Sequence, residues 1–330
     1  MSYQTGTAET LSDLLSKLSE FAVTTGWTVD NFKPHATTPE LYLHNADGFY
    51  SFGMLAGYDS SVRSLIIHGN TGYSTGAAFN AQPGNSRQNQ GFHTATSYNG
   101  THVTEIAGPF LTYDFFGTAQ YLHVVVQIGA ARFRHFGIGM LNKEGVWNGG
   151  QYVFGTLRSR TSPNYPHGDQ IWGVCAPGSN QARYSAVIRA EGIAGETRTP
   201  WWLGASRNDT AGATVRGAGH CGTSSYTLNQ SHPDSLQIYT SLSVFGQVLA
   251  PVPNSVLVYG LDKIWRRLGT LPDCTQCRMD GITPRTILKI SGEEWMIIPP
   301  TTWRANAGSG PDSKNDDSSG EAGVAYKVIR

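Results

Sequence analysis

A chain of 330 residues, 39% of them apolar, has enough core-forming material to fold, which excludes wholesale disorder. Charged residues make up 15%, against roughly 25% in an average soluble protein, and the difference is taken up by 39 glycines and many Ser, Thr and Asn. The 24 basic and 24 acidic residues cancel, so no basic footprint for nucleic acid is expected and little net charge opposes self-association.

The first element is a helix. Leu11, Leu14, Leu15, Leu18, Phe21 and Ala22 recur at three- and four-residue steps and predict one apolar face. Thr10 with Asp13 resembles a capping box, and Gly26 stands where a left-handed C-cap would fall. Trp27, Val29 and Phe32 then read as the start of a strand.

Strand signals dominate after that, over Leu41–His44, Phe49–Met54, Ser64–His68, Leu111–Phe116, Tyr121–Ile128 and Arg132–Ile138. In Tyr121–Ile128 the residues Leu122, Val124, Val126 and Ile128 share one face, and Tyr121, His123, Val125 and Gln127 the other. A turn at Gly129-Ala130 would join it to the next strand. Further on, Thr286–Ile290 and Glu293–Ile298 flank the two-residue turn Ser291-Gly292, and Val324–Ile329 predicts a last strand. Residues 304–323 hold no large aliphatic or aromatic side chain. The final strand is therefore expected to complete a sheet edge, so that deleting 304–330 impairs assembly more than it unfolds the core. Composition divides the chain into a helix plus β-rich region over 1–156, a loop-rich insertion over 157–253, and a closing hairpin and strand over 254–330, the last continuous with the first.

The chain has no apolar run of about 18 residues, so no membrane span is expected. The N-terminal MSYQTGTAETLSD lacks the basic start and apolar core of a secretory signal, which predicts synthesis in the cytoplasm. Cys175, Cys221, Cys274 and Cys277 are too few for a disulfide scaffold at this length.

Four motifs invite chemical readings. Gly72-Tyr73-Ser74-Thr75-Gly76 matches the G-x-S-x-G nucleophile elbow, with Ser74 as the nucleophile of a serine hydrolase. The Pro83-Gly84 that follows leaves little room for the helix an elbow needs, so a glycine-rich turn is expected. Gly217–Gly222 satisfies G-x-G-x-x-G but opens no helical pattern, and no dinucleotide or other cofactor is predicted. Cys274-Thr275-Gln276-Cys277 is half of a zinc pattern, for which His220 and Cys221 are the obvious second half. That pair is not spaced like a zinc knuckle and Leu271-Pro272-Asp273 reads as a loop, so loop thiols or a strained local disulfide are expected instead of a metal. Trp201-Trp202 could stack on sugar rings.

As a set, several fragments resemble a family of virion structural proteins of tailed bacteriophages and prophages, associated with the tail, neck or baseplate. The likeness rests first on Thr5-Gly6-Thr7, the helix from Leu11 to Phe21 and Gly26-Trp27. It continues through Leu65–Gly72, Tyr73, Gly76-Ala77-Ala78 and Asn80–Gly84. Gly108-Pro109-Phe110, Tyr113 and Phe115-Phe116, the valine strand to Ile128 and Gly150–Gly155 extend it, and Ile290–Pro299 and Gly323–Lys327 close it. It spans roughly the first 155 residues and the last 50, and the middle, with Cys221 and the C-x-x-C, departs from the family pattern.

The resemblance implies a β-rich fold located in the virion and transfers no catalytic residue. With the residue patterns above, the expected fold class is β-rich α+β, with an N-terminal amphipathic helix, antiparallel hairpins and a loop-rich insertion. The expected function is assembly as a cyclic homo-oligomer of three- or sixfold symmetry that docks on other tail proteins. Aromatic anchors at its interfaces are expected among Tyr3, Trp27, Trp303 and Tyr326. A glycan-binding adhesin on the same particle is the alternative, and the Ser74 hydrolase a third reading.

Overall fold

A computed structural model of the chain describes residues 2–54, 64–86, 101–103, 106–157, 170–171, 186–191, 202–204, 227–228, 244–245, 248–249, 252–259, 265–278, 282–299 and 322–330. Among these residues the protein is β-rich, with one α-helix, α1 (Leu11–Thr24), and antiparallel sheets. In chain order the first strands are β1 (Tyr3–Ala8), β2 (Thr28–Lys33), β3 (Glu40–His44), β4 (Phe49–Gly53), β5 (Leu65–Asn70), β6 (Thr101–Val103), β7 (Phe110–Gly117) and β8 (Tyr121–Gly129). They continue as β9 (Arg132–Met140), β10 (Asn142–Lys143), β11 (Asn148–Leu157), β12 (Gln170–Ile171), β13 (Ala186–Glu191), β14 (Trp202–Gly204), β15 (Thr227–Leu228) and β16 (Val244–Phe245). The last are β17 (Val248–Leu249), β18 (Val252–Tyr259), β19 (Trp265–Arg278), β20 (Thr286–Ile290), β21 (Glu293–Ile298) and β22 (Ala322–Val328).

Three sheets build the body. The central one runs β1-β7-β8-β9-β11-β13-β14, with β12 on β11. A second runs β2-β3-β4-β5-β6, and a third runs β15-β18-β19-β22-β21-β20, with β10 on β19. The central sheet is buried on both faces, and its alternation decides which layer each residue meets. Leu122, Val124 and Val126 of β8 join α1 and the second sheet in one core. Tyr121 and Val125 point the other way, into a core shared with Leu268, Met296, Ile298 and Tyr326 of the third sheet. The arrangement is a stack: helix and second sheet, central sheet, third sheet.

Local sequence explains the elements. The Thr10 side chain accepts from the Asp13 backbone N–H at 3.1 Å and starts α1, and Gly26 ends it at φ 93. Leu11, Leu14, Leu15, Leu18, Phe21 and Ala22 are the buried face of that helix. The β20–β21 hairpin turns through Ser291 at φ 50 and Gly292 at φ 85, two left-handed residues as a type I′ turn requires. Between β8 and β9, Gly129 pairs with Arg132, so the turn is Ala130-Ala131, one residue later than expected.

Two expectations change, and the loop-rich insertion is seen to contribute a strand. Leu271-Pro272-Asp273 is no loop between elements but lies inside β19, where the strand bulges: Pro253 pairs with Thr275 while Ser255 pairs with Thr270. A bulge tolerates a proline, which has no N–H to give to the ladder. From the loop-rich 157–253 region, β13 enters the central sheet with Ala186, Val187 and Ile188 buried. Finally, β22 is not an edge strand. It lies between β19 and β21, pairing Cys274 with Tyr326 on one side and Met296 with Tyr326 on the other.

Candidate functional site

Among the described residues, buried titratable side chains gather in the seam between the central and third sheets. His135 of β9 is fully buried and reaches across it. Its Nε2 lies 2.9 Å from the carbonyl oxygen of Pro299, which can only accept, so Nε2 carries the proton. Nδ1 therefore accepts from the Tyr326 hydroxyl at 2.8 Å. His123 of β8, also fully buried, meets the Tyr152 hydroxyl at 2.6 Å through Nε2, and its Nδ1 has no partner among the described residues. Burial drives both imidazoles toward the neutral form and lowers each pKa to about 3.

Rings fill the space between them. Tyr326 stacks on Phe116 with centroids 4.9 Å apart and stands edge-on to His123 at 5.8 Å. The Tyr121 ring lies 4.5 Å from His123, and its hydroxyl donates to Asp273 of the third sheet at 2.9 Å. Burial, then the Asp273 carboxylate, raises the Tyr121 pKa.

At one end of the seam sits an ion pair. Asp114 of β7 is buried, and Arg285 grips both its oxygens at 2.9 Å, through Nε and Nη2. The same guanidinium donates to the Thr5 hydroxyl at 3.0 Å, and the Tyr3 hydroxyl donates to Asp114 at 3.0 Å. Burial followed by the Asp114 charge pushes the Tyr3 pKa up to about 12. Arg285 holds a left-handed backbone at φ 65, which L side chains adopt rarely. One cluster thus joins β1, β7 and the start of β20.

The C-x-x-C is divided by its strand. Cys274 and Cys277 stand three residues apart on β19, so they point to opposite faces. Cys274 belongs to the inter-sheet core, while Cys277 packs with Trp295, Ile297 and Ala325 on the outer face. Both are free and buried, and burial pushes each thiol up to about 12. The expected local disulfide is therefore not formed, and the two sulfurs cannot share one metal ion across the sheet. His220, Cys221 and Trp303 lie outside the described residues, as does Trp201; Trp202 is on β14.

Ser74 is exposed in the loop that follows β5. Its N–H donates to Gln82 Oε1 at 2.8 Å, and Gln82 Nε2 donates to the Ala77 carbonyl at 2.9 Å. The Thr71 N–H donates to the Pro83 carbonyl at 2.8 Å. Gly84, at φ 56, leaves room for Thr71 that any Cβ would fill. Asn-Ala-Gln-Pro-Gly thus closes a turn over Tyr42 and Ile66, where Phe79 and Tyr73 pack. The element after Ser74 is a single 3-10 turn, Phe79–Ala81, where an elbow would place an α-helix.

The aromatic residues expected at interfaces have different surroundings. Trp27 and Tyr326 are buried in the chain's own core, which leaves neither ring a surface to offer. The Trp27 indole N–H donates to the Thr118 carbonyl at 2.8 Å and ties the second sheet to the central one. Tyr3 is part-exposed on β1. A shallow groove at the tip of β20–β21 is lined by Lys289, Glu293, Glu294, Lys327 and Arg330, and Lys327–Glu293 and Arg330–Glu294 pair within it. No helix of the described residues is long and apolar enough to cross a membrane.

Alternation along β8 places His123 on the face away from Leu122 already in the sequence, whereas His135, Asp114 and Arg285 carry no local signal that marks them as a site. No protein-family model matches the chain, and no curated protein matches it.

Proposed function

We propose that the protein is a structural subunit of a tailed-bacteriophage particle, assembling as a cyclic homo-oligomer of three- or sixfold symmetry in the tail, neck or baseplate. One observation carries this reading: the segments that resemble the virion family are joints of the framework. Gly26-Trp27 joins the second sheet to the central one through the Thr118 carbonyl. Asn80–Gly84 closes the turn over the second sheet through Gln82 and Pro83. The valine strand is the two-faced β8, and Ile290–Pro299 with Gly323–Lys327 supplies β21, β22 and the Pro299 carbonyl that His135 holds. Residues placed for rigidity suit a part that bears load in an assembly. Low charge at zero net balance favours close association of copies.

The test has two arms. Light scattering on the purified full-length chain across a wide concentration range is expected to give a closed oligomer of three or six copies. Electron microscopy of particles is expected to place the same ring at the tail, neck or baseplate. A chain that stays monomeric at all concentrations and is absent from particles overturns the reading. Incubation with generic esters is expected to show no hydrolysis that Ser74→Ala abolishes; a wild-type rate removed by that substitution would favour the hydrolase.

A further inference from the structure

Among the described residues, the central and third sheets end on the same flank in edge strands, β1 and β20. The Arg285 cluster binds those two edges together. They are not equally protected. β1 carries a register shift between Gly6 and Ala8, and Lys17 Nζ donates to the Thr7 carbonyl at 2.9 Å. A bulge and a lysine over the edge are both recognised ways of blocking further pairing. β20 reads Thr-Ile-Leu-Lys-Ile, with Lys289 as its one charge and Ile287, Leu288 and Ile290 all part-exposed.

Register fixes which backbone groups face outward from β20. In a two-residue hairpin the residues flanking the turn, Ile290 and Glu293, exchange both hydrogen bonds, and such pairs alternate along the ladder. Leu288 with Trp295 is the next, so the N–H and C=O groups of Ile287 and Lys289 point away from β21. That leaves two donors and two acceptors spaced for one short antiparallel strand.

We propose that the strand they accept is β20 of a second copy, related by a twofold axis through Leu288. Antiparallel pairing about that axis sets Ile287 opposite Lys289 of the other copy, twice, and satisfies all four outward groups of each strand. It places Leu288 against its own counterpart in a non-hydrogen-bonded pair, where side chains come closest. Charge fits the same register. Lys289 never faces Lys289, its stem lies along an isoleucine, and Glu294 already stands across from it in the hairpin. On the neighbouring positions Arg285 is already held by Asp114. The contact extends the third sheet across the axis. It rests on the reading of the chain as an assembling subunit and adds a twofold contact separate from that of the ring.

Two variants of the full chain test it. Leu288→Cys under mild oxidation is expected to give a covalent dimer on a non-reducing gel that the unmodified chain does not give, because Leu288 would meet its own copy. Lys289→Pro removes an N–H that faces outward, so the subunit is expected to keep its melting temperature. By symmetry the dimer loses two hydrogen bonds, and its Kd is expected to rise about tenfold or more. An absent cross-link, or an unchanged Kd in Lys289→Pro, overturns the twofold contact; if a ring still forms, the assembly reading stands. Amide exchange adds an independent check. Protection of the Ile287 and Lys289 amides at dilutions where the protein is monomeric would mean that the same chain already covers this edge, and would overturn the proposal. A chain monomeric at every concentration would overturn both readings.

Discussion

His123 and His135 tie the stability of the protein to pH. Each is buried in the neutral form with its pKa lowered to about 3, whereas in the unfolded chain an imidazole takes up its proton near pH 6.5. Their contribution is therefore complete above about pH 6.5 and is lost progressively as the pH falls toward 3. At pH 5 the unfolded state gains about 2 kcal/mol for each histidine, or about 4 kcal/mol for the pair. Urea unfolding at pH 7 and pH 5 should show that difference, and His123→Phe should roughly halve it. The tyrosines and the thiol that face this seam (Tyr121, Tyr152, Tyr326 and Cys274) stay neutral throughout the window, their pKa values being raised by burial.

The Arg285–Asp114 pair behaves differently on substitution. Arg285→Ala leaves a buried carboxylate without its cation and is expected to cost roughly 3–5 kcal/mol. Replacing both by apolar residues, Asp114→Leu with Arg285→Met, should recover much of that loss, because no buried charge is then stranded. Denaturant midpoints for the single and double variants decide the point. Neither partner was legible in the sequence as a site. They stand 171 positions apart and meet only because the start of β20 lies beside β7.

At the scale of elements, the turn over the second sheet offers a sharper contrast. Gln82 is buried and satisfies the backbone around Ser74, so Gln82→Ala should destabilise that turn by about 1–3 kcal/mol, whereas exposed Ser74→Ala should stay within about 0.5 kcal/mol of the parent. Amide exchange over residues 71–86 reads the first effect, and thermal melting the second.

Elements were legible where one local rule spoke alone. Helix α1 shows its cap and its apolar face, and β8 its strict alternation. The β20–β21 hairpin shows two strands about Ser291-Gly292. β1 was missed because Tyr-Gln-Thr-Gly-Thr-Ala has little apolar content, and Tyr3 finds its partners, Asp114 and the Phe116 ring, only far along the chain. β19 was misread because Pro272 and Asp273 are turn residues in isolation, and only pairing with β18 and β22 makes them a bulge. β13 carries a short apolar run whose strand identity comes from its place beside β11. The C-x-x-C was conspicuous in sequence, yet strand parity sends its two sulfurs into different cores.

For the whole molecule, the stack of three sheets makes the third depend on a strand from far along the chain. Truncation before residue 322 removes the middle of that sheet and exposes Met296, Ile298 and the other residues that Tyr326 and Val324 cover. The expected result is loss of the cooperative melt of the third sheet, not an assembly defect in an otherwise intact subunit. Thermal denaturation and far-ultraviolet circular dichroism of the truncated and complete chains would separate the two.

The place of β22 also sets an order of events during synthesis. Its neighbours β19 and β21 end at Arg278 and Ile298, whereas β22 begins at Ala322. At about 5–20 residues per second, translation takes roughly one to five seconds to pass from β21 to β22. During that interval β19 and β21 must hold a gap one strand wide, each with a row of unmatched amides facing it. A neighbouring nascent chain could fill that gap first and leave the two polypeptides sharing a strand. A slower ribosome would widen the opportunity, and crowding on one message would raise the local supply of intruders. Domain-swapped dimers should therefore become more frequent when expression is driven hard, and less so when translation is spread over separate messages.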